Sequence, residues 1–147
     1  MTAEILPVFV YGTLLFPEVT GALGIQLADE GTLARLNGFR RFTVRLSARG
    51  NFPAIVRSTE HAVSGRVLML HSPADLRTMD EFEGIDEGYY TRESVTVVMS
   101  DGRLQEAFAY VCGVRLQAFL DGPWDPEQFR ANDLRDYAGR LRGGGRS

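Results

Sequence analysis

Glu83 is the residue of this chain with the strongest case for proton chemistry, and the case begins with spacing. Drawn as a helix, the stretch around it places Leu76, Met79, Asp80 and Glu83 within one arc of about 100°, with Glu81 on the other side. The face that should pack inward therefore carries two carboxylates, of which Glu83 is the last. A carboxylate at a helix C-terminus sits against the negative end of the dipole. Burial disfavours the anion as well. Both effects push a pKa up, toward the range a general base needs. A surface glutamate at a fraying helix end is the competing reading, and wheel and composition do not separate the two.

A second group is Tyr11-Gly12-Thr13-Leu14. A strand that breaks at glycine exposes backbone N–H groups in a turn, and such donors hold a carboxylate or another anion without any cationic side chain. A plain strand-to-loop turn is the alternative. A third group is Tyr89-Tyr90-Thr91-Arg92, where Arg92 can clamp a carboxylate through two hydrogen bonds. Core aromatics beside a solvated arginine fit equally well there, and Tyr110, on a neighbouring strand, shares that ambiguity.

Other chemistries lack their residues. All 16 basic side chains are arginine, which excludes lysine nucleophiles and the phosphate-binding P-loop. His61 and His71 lie on separate elements or loops and do not resemble a metal pair. There is no Gly-x-Ser-x-Gly elbow and no dinucleotide fingerprint. Cys112 stands in the apolar run Ala107 to Val114 and reads as core rather than nucleophile. Arg35, Arg40, Arg41, Arg45 and Arg49, interleaved with Phe39 and Phe42, form a basic stretch. A net charge of −3 argues that it is a solvated sheet face and not a nucleic-acid site.

These residues need a scaffold. At 147 residues the chain is the size of one domain, expected over 1–142 with a flexible tail at 143–147. Ile5 to Tyr11 reads as a buried strand that stops at Gly12, and Pro17 to Leu23 as a short helix. Thr32 to Asn37 and Phe39 to Leu46 read as two strands around an Asn37-Gly38 hairpin turn. Pro53 to Arg57 and Val63 to Leu70 are extended. Ser72, Pro73 and Asp75 open a helix that ends at Gly84. Arg92 to Met99 and Gln105 to Cys112 are strands joined by Asp101-Gly102, and Glu127 to Arg140 is a closing helix. Many strands, few helices and hairpin connections predict an α+β fold with a mostly antiparallel sheet that can close into a barrel. A single cysteine, no leader pattern at Met1 and no long apolar run suit a cytoplasmic chain away from membranes.

Taken together, Tyr11-Gly12-Thr13-Leu14, Phe52-Pro53-Ala54, Met79-Asp80-Glu81-Phe82-Glu83-Gly84 and Tyr90-Thr91-Arg92 leading into Val95-Thr96-Val97 form an ordered set. The set resembles the gamma-glutamylcyclotransferase-like family, nearest its gamma-glutamylamine cyclotransferase and AIG2-like branch, over most of the chain. The resemblance implies a small, mixed-sheet barrel with flanking helices and a cavity at one end. It implies a reaction in which a gamma-glutamyl compound cyclises to 5-oxoproline and frees an amine. Glu83 would move the proton; Tyr11, Gly12, Thr13 and Leu14 would bind substrate. Tyr90 and Tyr110 would line the cavity, and Arg92 would bind a carboxylate or brace the loop. The partner is then a small gamma-glutamyl molecule, with no nucleic acid, no membrane, no metal and no organic cofactor. A non-catalytic module holding a small carboxylate or a peptide end in the same cavity is the alternative. Leu15-Phe16-Pro17 follows the loop where a polar continuation is expected, which implies a more apolar cavity rim. Oligomeric state has no signature in the sequence.

Overall fold

The strand patterns resolve into a closed barrel. The computed structural model of the chain describes residues 6–27, 29, 31–46 and 50–142. Five strands follow in chain order: β1 (Leu6–Val10), β2 (Thr32–Leu46), β3 (Gly50–Leu70), β4 (Tyr90–Met99) and β5 (Leu104–Cys112). Around the barrel they run β1-β3-β2-β4-β5. Every pairing is antiparallel except β1 with β5, which is parallel at Val8 and Phe108 and closes the ring. Four helices flank it: α1 (Pro17–Ala22), α2 (Pro73–Glu83), α3 (Pro126–Asn132) and α4 (Leu134–Arg142).

Period-two alternation sorts the core into two regions. Phe9, Leu36, Ile55, Val67, Val97 and Ala109, from all five strands, pack inside the barrel. Their neighbours Val8, Val10, Leu68, Tyr110 and Cys112 face the other way and pack with residues of the helices, among them Val19, Met79, Phe129 and Leu134. Cys112 is buried in this layer, as its apolar surroundings indicate, and burial pushes its thiol pKa up.

Three expectations are corrected. Asn37-Gly38 does not turn a hairpin, because β2 runs unbroken through it. Asn37 faces Ala62 while Phe39 faces Arg57, so residues 58–61 of β3 stand opposite Gly38 alone. With φ at +83°, Gly38 supplies an irregularity that bends a long strand around a narrow barrel. The two extended pieces at Pro53 to Arg57 and Val63 to Leu70 are likewise one strand, β3. The closing helix is two helices, broken at Asp133. The remaining local signals hold: Asp101-Gly102 turns β4 into β5, with Gly102 at φ +88°. Arg49 and the tail 143–147 lie outside the described residues.

Candidate functional site

Capping at both ends fixes where Glu83 stands. Ser72 Oγ accepts from the Ala74 N–H at 3.1 Å, and Pro73 occupies the first helical position. At the other end the N–H groups of Ile85 and Gly84 donate to the carbonyls of Asp80 and Glu81, both at 3.2 Å. Those two bonds form a Schellman closure. Gly84 adopts φ +69°, and a Cβ there would stand 2.6 Å from the Tyr89 ring. Helix α2 therefore ends at Glu83, which is half-buried, while Met79 and Leu76, one and two turns back, are buried.

Across from it, β1 ends and the chain passes through Tyr11 and Gly12 into a 3-10 turn at Thr13–Leu15. The first bond of that turn runs from Leu15 N–H to Gly12 O at 2.9 Å, so the N–H groups of Thr13 and Leu14 precede it and have no acceptor within the turn. Gly12 lies flat on Pro53: a Cβ would meet Pro53 Cγ at 2.5 Å. Arg41 holds the turn from behind, its Nη1 donating to Tyr11 O at 2.7 Å, with the guanidinium 5.4 Å from the Trp124 ring centroid. Burial lowers the Arg41 pKa. The expected solvated face thus loses one arginine to the site. Arg45 instead pairs with Asp121, and Arg40 covers the Phe42 ring at 4.7 Å.

Between turn and helix end lies a cavity of about 80 Å³, several times the room one water needs. Its lining brings together the expected Tyr11, Gly12, Thr13, Leu14, Glu83, Tyr90 and Tyr110. It also includes Tyr89 of the third group, and residues that sequence reading missed, notably Leu116, Tyr137, Arg140 and Leu141. Leu15-Phe16-Pro17 is not part of the lining; Phe16 is buried, 5.4 Å from Phe129 between ring centroids.

Three phenols surround the carboxylate, and each proton is committed to the protein. Tyr11 donates to Tyr110 O at 2.6 Å, Tyr90 to Pro53 O at 2.6 Å, and Tyr110 to Asp80 Oδ1 at 2.7 Å. Burial, reinforced by the Glu83 charge, holds Tyr11 well above its ordinary pKa. Burial does the same for Tyr90, with Tyr11 and Glu83 adding to it. Tyr110 is raised by burial and by its hydrogen bond to Asp80. All three stay neutral at physiological pH and cannot serve as bases.

Arg92 does not reach the cavity. Its Nη1 donates to Asp80 Oδ2 at 2.5 Å, and the guanidinium lies 4.9 Å from the Phe108 ring centroid. Asp80 ties α2 to β4 through Arg92 and to β5 through Tyr110.

The family model described as gamma-glutamyl cyclotransferase, AIG2-like, matches residues 8–126. The chain belongs to that family. Its relatives include AIG2-like protein C of Arabidopsis thaliana, 35% identical over 130 residues that make up 88% of this chain and 72% of the relative. A solved gamma-glutamyl cyclotransferase shares the fold at a TM-score of 0.65 and 21% identity, covering 95% of this chain and 87% of its own. A yeast gamma-glutamyl cyclotransferase specific to glutathione shares it at 0.59 and 12%, covering 95% of each chain. Both structural likenesses speak to the fold of the family. The match spans the turn, both buried tyrosines of β4 and β5, and Glu83; it ends before α4 begins. No helix among the described residues is long and apolar enough to cross a membrane.

Proposed function

We propose that this chain catalyses cyclisation of a small gamma-glutamyl compound, with Glu83 as the proton carrier. One observation carries the reading: among the described residues that line the cavity, Glu83 is the one carboxylate, and it shares that lining with the 3-10 turn. The family supplies the reaction class. The substrate's α-ammonium gives a proton to Glu83, and the freed amine attacks the γ-carbonyl. A C–N bond forms, closing the ring. Glu83 returns the proton to the departing nitrogen as the original C–N bond breaks. The ring nitrogen sheds its surplus proton, which the freed amine takes up, so the products are 5-oxoproline and an ammonium ion, and Glu83 ends as it began.

The division of labour suits the residues present. Both reacting groups belong to one molecule, so no covalent enzyme intermediate is needed. Holding the glutamyl chain bent can lower the barrier by about 7–11 kcal/mol in well-oriented intramolecular cases. General acid/base help from one carboxylate typically adds about 10²–10⁴-fold. The N–H groups of Thr13 and Leu14 suit the glutamyl carboxylate or the developing oxyanion. The phenols of Tyr11, Tyr90 and Tyr110 shape the wall and hold the turn, since their protons are already used. Pro53 links these parts, carrying Gly12 on its ring and accepting from Tyr90.

The test is 5-oxoproline release from a panel of gamma-glutamyl amines and gamma-glutamyl dipeptides by wild type and Glu83→Gln. Release by wild type and its loss in the variant support the reading. Silence across the panel from a folded wild type would move the protein to the binding-module class.

A further inference from the structure

Helix α4 (Leu134–Arg142) starts past the end of the family match at residue 126, yet it forms one wall of the cavity. Tyr137, Arg140 and Leu141 line it. Their i, i+3, i+4 spacing puts all three on one helical face. Leu134 and Ala138, on the adjoining face, are buried and seat the helix.

A chain of rings sets the position of that face. Phe16 lies 5.4 Å from Phe129, Phe129 lies 5.5 Å from Tyr137, and Tyr137 meets Phe82 edge-on at 6.5 Å. Phe16 follows the 3-10 turn, and Phe82 immediately precedes Glu83. The rings therefore join α4 to both sides of the site. Arg140 sits one turn beyond Tyr137, its guanidinium 5.8 Å from that ring's centroid. It is exposed, whereas Tyr11, Tyr90 and Tyr110 are buried. Among the described lining residues it is the one cation, as Glu83 is the one carboxylate.

We propose that Arg140 is a specificity residue that pairs with a carboxylate on the leaving amine. The preferred substrates are then gamma-glutamyl amino acids or peptides, rather than gamma-glutamyl amines that lack a carboxylate. The inference rests on the cyclotransferase reading. In that reading the glutamyl ammonium and the amide nitrogen both lie at Glu83, so the substituent on that nitrogen extends along the rest of the lining, of which Arg140 is part. A carboxylate one carbon from that nitrogen comes within reach of a long arginine side chain, whose planar fork matches it. The negative charge of Glu83 opposes a second carboxylate at the inner end, which favours the same orientation. Arg140 is solvated when no carboxylate is present, so its discrimination is moderate and sensitive to salt.

The probes are γ-glutamylalanine and γ-glutamylethylamine, which differ by one carboxylate. For wild type, Arg140→Gln and Arg140→Lys, kcat and KM for 5-oxoproline release are measured at low and high salt. The same ligands are titrated by calorimetry into Glu83→Gln and into Glu83→Gln/Arg140→Gln. Wild type is expected to favour γ-glutamylalanine about five- to tenfold. Arg140→Gln should abolish that ratio through KM, Arg140→Lys should restore part of it, and high salt should shrink it. A ratio near one in wild type, or a ratio that survives Arg140→Gln, overturns the inference. Calorimetry separates this failure from failure of the reaction. Binding that discriminates through Arg140 without turnover keeps the inference and sinks the reaction. Turnover without discrimination does the reverse, and binding of neither ligand removes both.

Discussion

The cavity has two walls of different construction. On the inner side stand Tyr11, just past β1, and Tyr90 and Tyr110 of β4 and β5, and each is pinned by a buried or partly buried hydrogen bond. On the outer side, α4 is docked through aromatic contacts, with Tyr137 wedged between Phe129 and Phe82. Buried hydrogen bonds are directional and fix atoms closely. Ring packing is less directional and tolerates repacking. In the proposed reaction, the wall beside the proton carrier is thus the rigid one. The wall proposed to meet the leaving group is the adjustable one, and it lies outside the family match.

The sharpest way to break this contrast is Glu83→Gln. It should lower kcat by about 10²–10⁴-fold with the thermal midpoint nearly unchanged, since amide and carboxylate have the same shape. Full activity in that variant would remove the chemistry from the inner wall.

The phenols provide the next largest effect, on stability. Tyr11, Tyr90 and Tyr110 have folded-state pKa values raised above the unfolded value near 10. Their contribution is fully present below pH 10. Above it, the unfolded chain releases protons that the folded chain keeps, so stability falls as pH rises. Each phenol contributes a slope of about 1.4 kcal/mol per pH unit, or about 4 kcal/mol per unit for the three. Phenolate absorbance and circular dichroism recorded together above pH 10 check this. The three should ionise in one step with unfolding; gradual ionisation in a folded protein would show a looser inner wall than described.

Gly12→Ala comes third. Its Cβ would stand 2.5 Å from Pro53 Cγ, so turn and strand must part. Overpacking of this kind costs about 1–3 kcal/mol, and a displaced turn lowers kcat/KM by up to about 10²-fold. Denaturant midpoints and kinetics measured together would show whether the turn needs that contact. Wild-type values in both would mean that glycine is dispensable there.

What could be read from the sequence was what local chemistry decides. Ser72, Pro73 and Gly84 bound α2 because caps act within four residues. Glu83 was legible because the wheel of one helix places it on the side of Met79. Asn37-Gly38 misled because the dipeptide favours a turn locally, whereas barrel closure uses the same positive φ at Gly38 to bend β2 against a longer stretch of β3. Tyr137 and Arg140 carry no local mark. They enter the site because a break at Asp133 lets α4 fold back against α1, with Tyr137 meeting Phe82, a tertiary event without a short-range signal. The pairing of Arg92 with Asp80 was not legible, because Asp80 sits on another element.

Asp80 gives the smallest and most discriminating test, because it shares the inward arc of α2 with Glu83 but does a different job. Its carboxylate accepts from Tyr110 and Arg92, with side chains 25% and 32% exposed for Asp80 and Arg92. Asparagine keeps one acceptor oxygen and brings an NH₂ against two donors. One of the two bonds is lost, at a cost of about 1 kcal/mol after allowing for solvent access. The helix end then loosens from β4 and β5, and Glu83, one turn on, is less well placed. Asp80→Asn should lower the denaturant midpoint measurably and kcat only a few-fold, with the pH profile of kcat unmoved. A loss of turnover as deep as that of Glu83→Gln, in a protein of wild-type stability, would put Asp80 in the chemistry and make the inner wall a two-carboxylate site.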